Sequence, residues 1–156
     1  MKSGIMPALA VALVATAGLT GCGKKQCLWT RTYSFPATGW SGDSRLEFAP
    51  DSASLARGNA SQAIIGLRYG ADAPLREFPV VAETESRATG AYTLDTLTIR
   101  LLPLEQRTAN NARFGVFESV DTIALHDAPK PGWSLTLHPA TAEDIKGLIS
   151  ITLELN

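Results

Sequence analysis

The sequence predicts an all-β domain: a two-sheet antiparallel β-sandwich, jelly-roll-like, with one short helical turn before the last strand. Three observations carry that prediction. Apolar residues recur with period two or in short runs. Those runs are separated by Gly, Pro, Asn and Asp turns rather than by long helical spacings. The part of the chain left for folding is also long enough for one hydrophobic core and short for two.

The first 21 residues are read as lying outside the fold. Lys2 precedes an apolar run from Ile5 to Ala17, followed by small residues, the layout of a secretory signal peptide. The run is short for the ~20 residues that a membrane-spanning helix needs. Leu19-Thr20-Gly21-Cys22 matches a bacterial lipobox, in which small residues admit the peptidase and the cysteine thiol receives a diacylglyceryl group. Cys22 is therefore the expected lipidation site, and two or three acyl chains there would hold the protein at a membrane. Residues 22–30 read as a tether, with Lys24 and Lys25 placed to lie against anionic headgroups. Residues 31–156 read as a single β-sandwich domain.

The strands follow in order. Leu46 and Phe48 alternate with Arg45 and Glu47; Ala63 to Tyr69 is a mostly apolar run; Phe78 to Val81 leads into Glu83 and Glu85. In Tyr92 to Leu102, the set containing Leu97, Ile99 and Leu101 is the expected buried face. Phe114 to Leu125 forms another strand region, interrupted by Asp121 and Thr122, which can divide it in two. Trp133, Leu135 and Leu137 alternate with Ser134, Thr136 and His138, and Leu148 to Leu155 closes the chain. Seven to nine strands result. Between the last two, Thr141 can cap a helix, Glu143 and Asp144 suit its positive end, and Gly147 can terminate it, so a helical turn is expected there. Ala49 to Ser61, rich in Ala and Ser, is expected to be a mobile loop.

Several kinds of chemistry lack their residues. Without Lys2 the chain has 13 basic and 15 acidic side chains with interspersed signs, which leaves no single-sign field for nucleic acid. His126 and His138 are the only histidines, and neither stands in ligand spacing, so no metal or cofactor is expected. No Gly-x-Ser-x-Gly elbow or phosphate-binding glycine loop appears. Asp95 and Glu105 could form a glycosidase-like pair, but solvated surface charge is the plainer reading. No enzymatic activity is expected. With Cys22 lipidated, Cys27 has no internal disulfide partner; it either bridges two molecules or sits idle near the anchor.

Indole rings stack on sugar faces, which makes the three tryptophans candidates for ligand contact. Trp133 shares its alternation with Leu135 and Leu137 and is assigned to the core. Trp29 and Trp40 are the candidates for exposed ligand or partner contact, against the competing reading that they pack over a sheet edge.

A family resemblance runs through much of the chain. Its residues are the lipobox cysteine, Leu67-Arg68-Tyr69, Phe78-Pro79-Val80-Val81, Asp95-Thr96-Leu97, Leu101-Leu102, Gly132-Trp133-Ser134-Leu135, and Asp144-Ile145-Lys146-Gly147-Leu148-Ile149-Ser150-Ile151. The set resembles the gliding-motility lipoprotein family GldH of the Bacteroidetes. It departs from that family at Glu105 to Phe114, where members usually carry a glycine-rich stretch with an aromatic. The resemblance implies a non-enzymatic envelope lipoprotein that assembles or interacts with gliding or secretion-apparatus proteins; the alternative is a glycan-binding envelope module. Cys22 is followed by Gly23 and two lysines rather than an acidic surface-export signal, so the expected location is the outer membrane, facing the periplasm. Asp51-Ser52-Ala53, Asp95-Thr96-Leu97 and Asp121-Thr122-Ile123 each resemble the O-glycosylation signal of that phylum. Ser52 is the favoured acceptor, because Thr96 and Thr122 fall in strands where a glycan would disturb packing.

Overall fold

The computed structural model describes residues 26–107, 114–125 and 127–156. The expected signal peptide, Cys22 and His126 lie outside the described residues. Eight strands form: β1 (Trp29–Ser34), β2 (Leu46–Phe48), β3 (Gln62–Gly70), β4 (Glu77–Ser86), β5 (Ala91–Arg100), β6 (Val116–Ala124), β7 (Trp133–Pro139) and β8 (Leu148–Leu155). A one-turn helix, α1 (Ser52–Leu55), and a 3-10 turn at Leu104–Gln106 complete the described elements.

Two four-stranded antiparallel sheets pack face to face, in the orders β1-β8-β3-β6 and β2-β7-β4-β5. The pairs β1·β8, β2·β7, β3·β6 and β4·β5 are nested, so the chain is one long hairpin rolled upon itself. Pairing of β3 with β8 and of β4 with β7 then closes each sheet. This is the jelly-roll arrangement. The tip of the long hairpin is the four-residue connection from Ser86 to Ala91, where the Gly90 amide donates to the Ser86 carbonyl at 2.8 Å and Gly90 takes φ +68°.

Period-two alternation builds the core. Ala63, Ile65, Leu67 and Tyr69 of β3 and Ile151, Leu153 and Leu155 of β8 meet Val80 and Ala82 of β4 and Leu135 and Leu137 of β7, all buried. Leu46 and Phe48 do the same from the short β2. On β5 the alternation is correct but reaches the core only at Ile99, with Leu97 half-buried.

Four expectations change. β1 begins at Trp29 and Leu28 is buried, so the packed fold takes in the last residues assigned to the tether; the mixed run Trp-Thr-Arg-Thr-Tyr-Ser hid this edge strand. The segment Phe114 to Leu125 holds one strand rather than two, since Asp121 and Thr122 pair in register with Ile65 and Ile64. The Ala49 to Ser61 loop contains α1, capped by Asp51, whose carboxylate accepts from the Ser54 amide at 2.8 Å and the Ser54 hydroxyl at 2.7 Å.

The fourth change is the helical turn expected at Thr141 to Gly147, which does not form. The backbone of Ile145 pairs instead with Trp40: the Trp40 amide donates to the Ile145 carbonyl at 3.0 Å, and the Ile145 amide to the Trp40 carbonyl at 2.8 Å. Asp144, the expected first-turn acid, accepts from the Gly42 amide at 3.1 Å. Groups that a helix would have used internally are thus spent on a neighbouring loop. Gly147 does take the left-handed conformation, φ +78°, and a Cβ there would run into the Ala73 backbone.

Candidate functional site

Strand direction separates two ends of the sandwich. At one lie Leu28, the α1 segment, the β4–β5 turn, the β6–β7 connection and the C-terminus, brought together by the pairings Trp29 with Leu155, Ala63 with Leu155, and Gln62 with Ala124. Because it adjoins the expected tether, this is termed the tether end. At the other lie the Trp40 loop, the β3–β4 connection, the segment after β5 and residues 140–147.

Among the described residues, the far end is closed. Trp40 is fully buried, stacked on Phe35 with centroids 5.4 Å apart. Tyr69 is also fully buried, and its hydroxyl accepts from the Leu102 amide at 2.8 Å. The Arg107 guanidinium lies over the Tyr69 ring, 5.1 Å from its centroid. It donates to the carbonyls of Leu102 at 2.6 Å, Ala73 at 2.5 Å and Leu75 at 3.0 Å. A planar five-donor group suits this carbonyl ring, and its charge is spent on backbone rather than offered to a ligand.

The tether end is open. A cleft of about 260 Å³ lies between the sheets, lined on one side by Thr84, Ser86, Thr93 and Asp95 and on the other by Ile123 and Leu125, with Trp133, the β7 neighbour of Ser86, at its floor. Asp127 and Lys130 stand in the connection that borders it. The inward-facing positions of β4 run Phe78, Val80, Ala82 and then Thr84 and Ser86; those of β5, read from the far end, run Ile99, Leu97 and then Asp95 and Thr93. β4 turns polar at Thr84, directly opposite Thr93, and β5 one inward pair earlier, at Asp95 opposite Ala82.

Beside the cleft runs an unpaired sheet edge. β5 ends its sheet, and among the described residues no strand pairs with its outer side. On its outward face Tyr92 and Leu94 stand two residues apart, each 58% exposed.

The residues expected to matter are distributed as follows. Trp40, expected as an exposed contact, is a core residue; its place in a polar loop concealed its burial. Trp29 is half-buried against the core, and Trp133 is buried as expected at the cleft floor. Asp95 and Glu105 are not brought together: β5 runs on from Asp95 for five more residues, about 17 Å, and Glu105 lies beyond that end, paired with Arg76 at 2.5 Å. That exceeds the ~5–9.5 Å of glycosidase pairs. Ser52 is exposed at the start of α1, but Thr96 and Thr122 are exposed too, because both point outward from edge strands; burial does not separate the three. Cys27 is exposed, with its thiol donating to the Trp29 carbonyl at 3.4 Å.

His138 is half-buried on the outer face of β7, its Nε2 3.0 Å from Glu83, which also pairs with Arg45 at 2.5 Å. The Arg45 hydrogen bond, opposed by burial and assisted by His138, holds the Glu83 carboxyl below its usual range. Among the described residues no group of three or more His, Cys, Asp or Glu could hold a metal, and no helix is long and apolar enough to cross a membrane.

Comparison with known proteins adds no relative. No family model matches the chain, and no curated protein matches it. The resemblance to the GldH lipoproteins rests on the residues quoted for it.

Sequence reasoning missed the cleft and the β5 edge. One signal could have found both: on the expected strand regions Phe78 to Glu85 and Tyr92 to Leu102, the inward set loses its apolar residues in the halves that adjoin the shared turn.

Proposed function

We propose that the protein is a lipid-anchored component of the bacterial cell envelope, attached through Cys22 at the outer membrane and facing the periplasm, that acts by holding a partner protein rather than by catalysis. The observation that carries the reading is the free β5 edge with Tyr92 and Leu94 exposed side by side. An open edge offers a row of backbone donors and acceptors to an extended segment, and two adjacent apolar side chains give that segment an anchor. The inward charge of Asp95 discourages indiscriminate pairing at the same edge, so docking depends on a partner shaped for it.

The tether supports this arrangement. Five residues, Gly23 to Cys27, separate Cys22 from Leu28, a reach of about 20 Å at most, which keeps the open end close to the bilayer. The partner fitting the reading is another envelope protein, of the gliding or secretion apparatus that the GldH-like resemblance implies. The alternative, a glycan-binding module resting on Trp29 and Trp40, loses its platform because Trp40 is buried.

Site-specific photo-crosslinking in the host tests the docking reading. A photoreactive residue at position 92 or 94 should yield adducts with a discrete envelope protein, and one at exposed Thr32 in β1 should not. Leu94→Arg should abolish co-purification of that partner while the protein remains folded. Equal adducts from all three positions, or none from 92 and 94, would reject edge docking.

A further inference from the structure

We infer that the cleft at the tether end is a binding site for one ring of a neutral or amino-substituted sugar, distinct from the edge that holds a partner protein. A sandwich gains stability by closing its inner faces on apolar side chains, and β4 and β5 do so over Phe78, Val80, Ala82 and Ile99. At the tether end the same faces present Thr84, Ser86, Thr93 and Asp95, with Thr93 and Asp95 exposed. Hydroxyl and carboxylate groups on an inner face leave that end open to water, at the expense of burial that leucine or valine there would supply.

The opposite wall has the complementary character. Ile123 and Leu125 are apolar, and Trp133, the neighbour of Ser86 in the sheet of β4 and β5, closes the floor. A slot with hydrogen-bonding groups on one side and an apolar surface on the other matches a pyranose, whose hydroxyls project from its rim and whose C–H groups make an apolar face. The volume, about 260 Å³, lies just under the ~300–1,000 Å³ of clefts that take drug-sized ligands, which suits a single ring. Asp95 and Asp127 outnumber Lys130 around the cleft, so uronic acids are disfavoured and a neutral or amino sugar is preferred. The reading does not rest on the docking edge: Tyr92 and Leu94 point to the outer face of β5, whereas Thr93 and Asp95 point into the cleft.

The test is saturation-transfer NMR and titration of the detergent-solubilised full chain with four probes: methyl β-glucoside, methyl β-galactoside, glucosamine and glucuronate. Saturable binding of one or more of the first three, at dissociation constants on the order of 1–10 mM, is expected, with glucuronate weaker. Asp95→Ala and the cleft-filling Thr93→Trp should each weaken it about tenfold or more, while Tyr92→Ala on the other face leaves it unchanged. Circular dichroism of each variant shows that the fold is kept. No saturable binding of the first three probes, or binding that survives both cleft substitutions, would overturn the proposal. So would self-association of Asp95→Ala with sugar binding intact, since Asp95 would then only guard the edge.

Discussion

The two ends of this sandwich are made from the same eight strands and are finished in opposite ways. Among the described residues of the far end, Trp40 stacks on Phe35, Tyr69 receives the Leu102 amide, and Arg107 gathers carbonyls across two connections. At the tether end the inner faces of β4 and β5 turn polar and stay apart from Ile123 and Leu125 across the cleft. The difference separates the stability of the fold from its use: one end holds the rolled hairpin closed, and the other leaves a cleft and a strand edge free to meet something else.

If that division is right, substitutions at the sealed end should cost the most. Trp40→Ala should destabilise by about 3–5 kcal/mol, the range for removing a buried aromatic, and Arg107→Ala by about 3 kcal/mol through carbonyls left without their charged donor. Urea denaturation measures both. Arg107→Lys should recover little of the loss, because an ammonium cannot span the same carbonyl ring. Trp40→Phe sharpens the comparison. The buried Trp40 Nε1 has no hydrogen-bond partner among the described residues, so the phenyl ring loses volume but also removes an unsatisfied donor. The net cost should stay under about 1.5 kcal/mol.

How far these features could be read beforehand depended on how local their causes are. The strands at 62–70, 77–86, 133–139 and 148–155 show in the sequence because each has one buried face and one solvated face, and period two records that directly. β1 does not, because an edge strand with Arg and Thr outward and only part-buried aromatics inward carries little alternation. The helical turn at 141–147 was favoured by every local signal, yet Trp40, about a hundred residues away, claims the backbone of Ile145. The same non-local contact reverses the expected exposure of Trp40. The cleft depends on which half of β5 the opposite sheet covers, and that is fixed by how the hairpin rolls.

A smaller effect lies on the outer face. Glu83 has a depressed carboxyl pKa through Arg45 and His138, so its contribution is present above the unfolded value and is lost as pH falls through the lower folded one. Denaturation midpoints of wild type and Glu83→Gln should therefore differ near neutrality and converge in acid below the ordinary glutamate range. A constant difference down to the lowest pH would remove the Arg45–Glu83–His138 row as its cause. The smallest changes are expected at the cleft: Thr93→Val and Asp95→Asn should shift stability by about 0.5 kcal/mol or less, since neither side chain is buried.

Native-state amide hydrogen exchange tests the contrast between the two ends most directly. The amides of Tyr69 and Leu102 at the sealed end should exchange only through openings that approach global unfolding. Those of the β4–β5 turn and of Tyr92 to Asp95 should exchange faster by orders of magnitude, and slow when a partner or a sugar occupies the open end. Equal protection at the two ends, or faster exchange at Tyr69 and Leu102, would contradict the account.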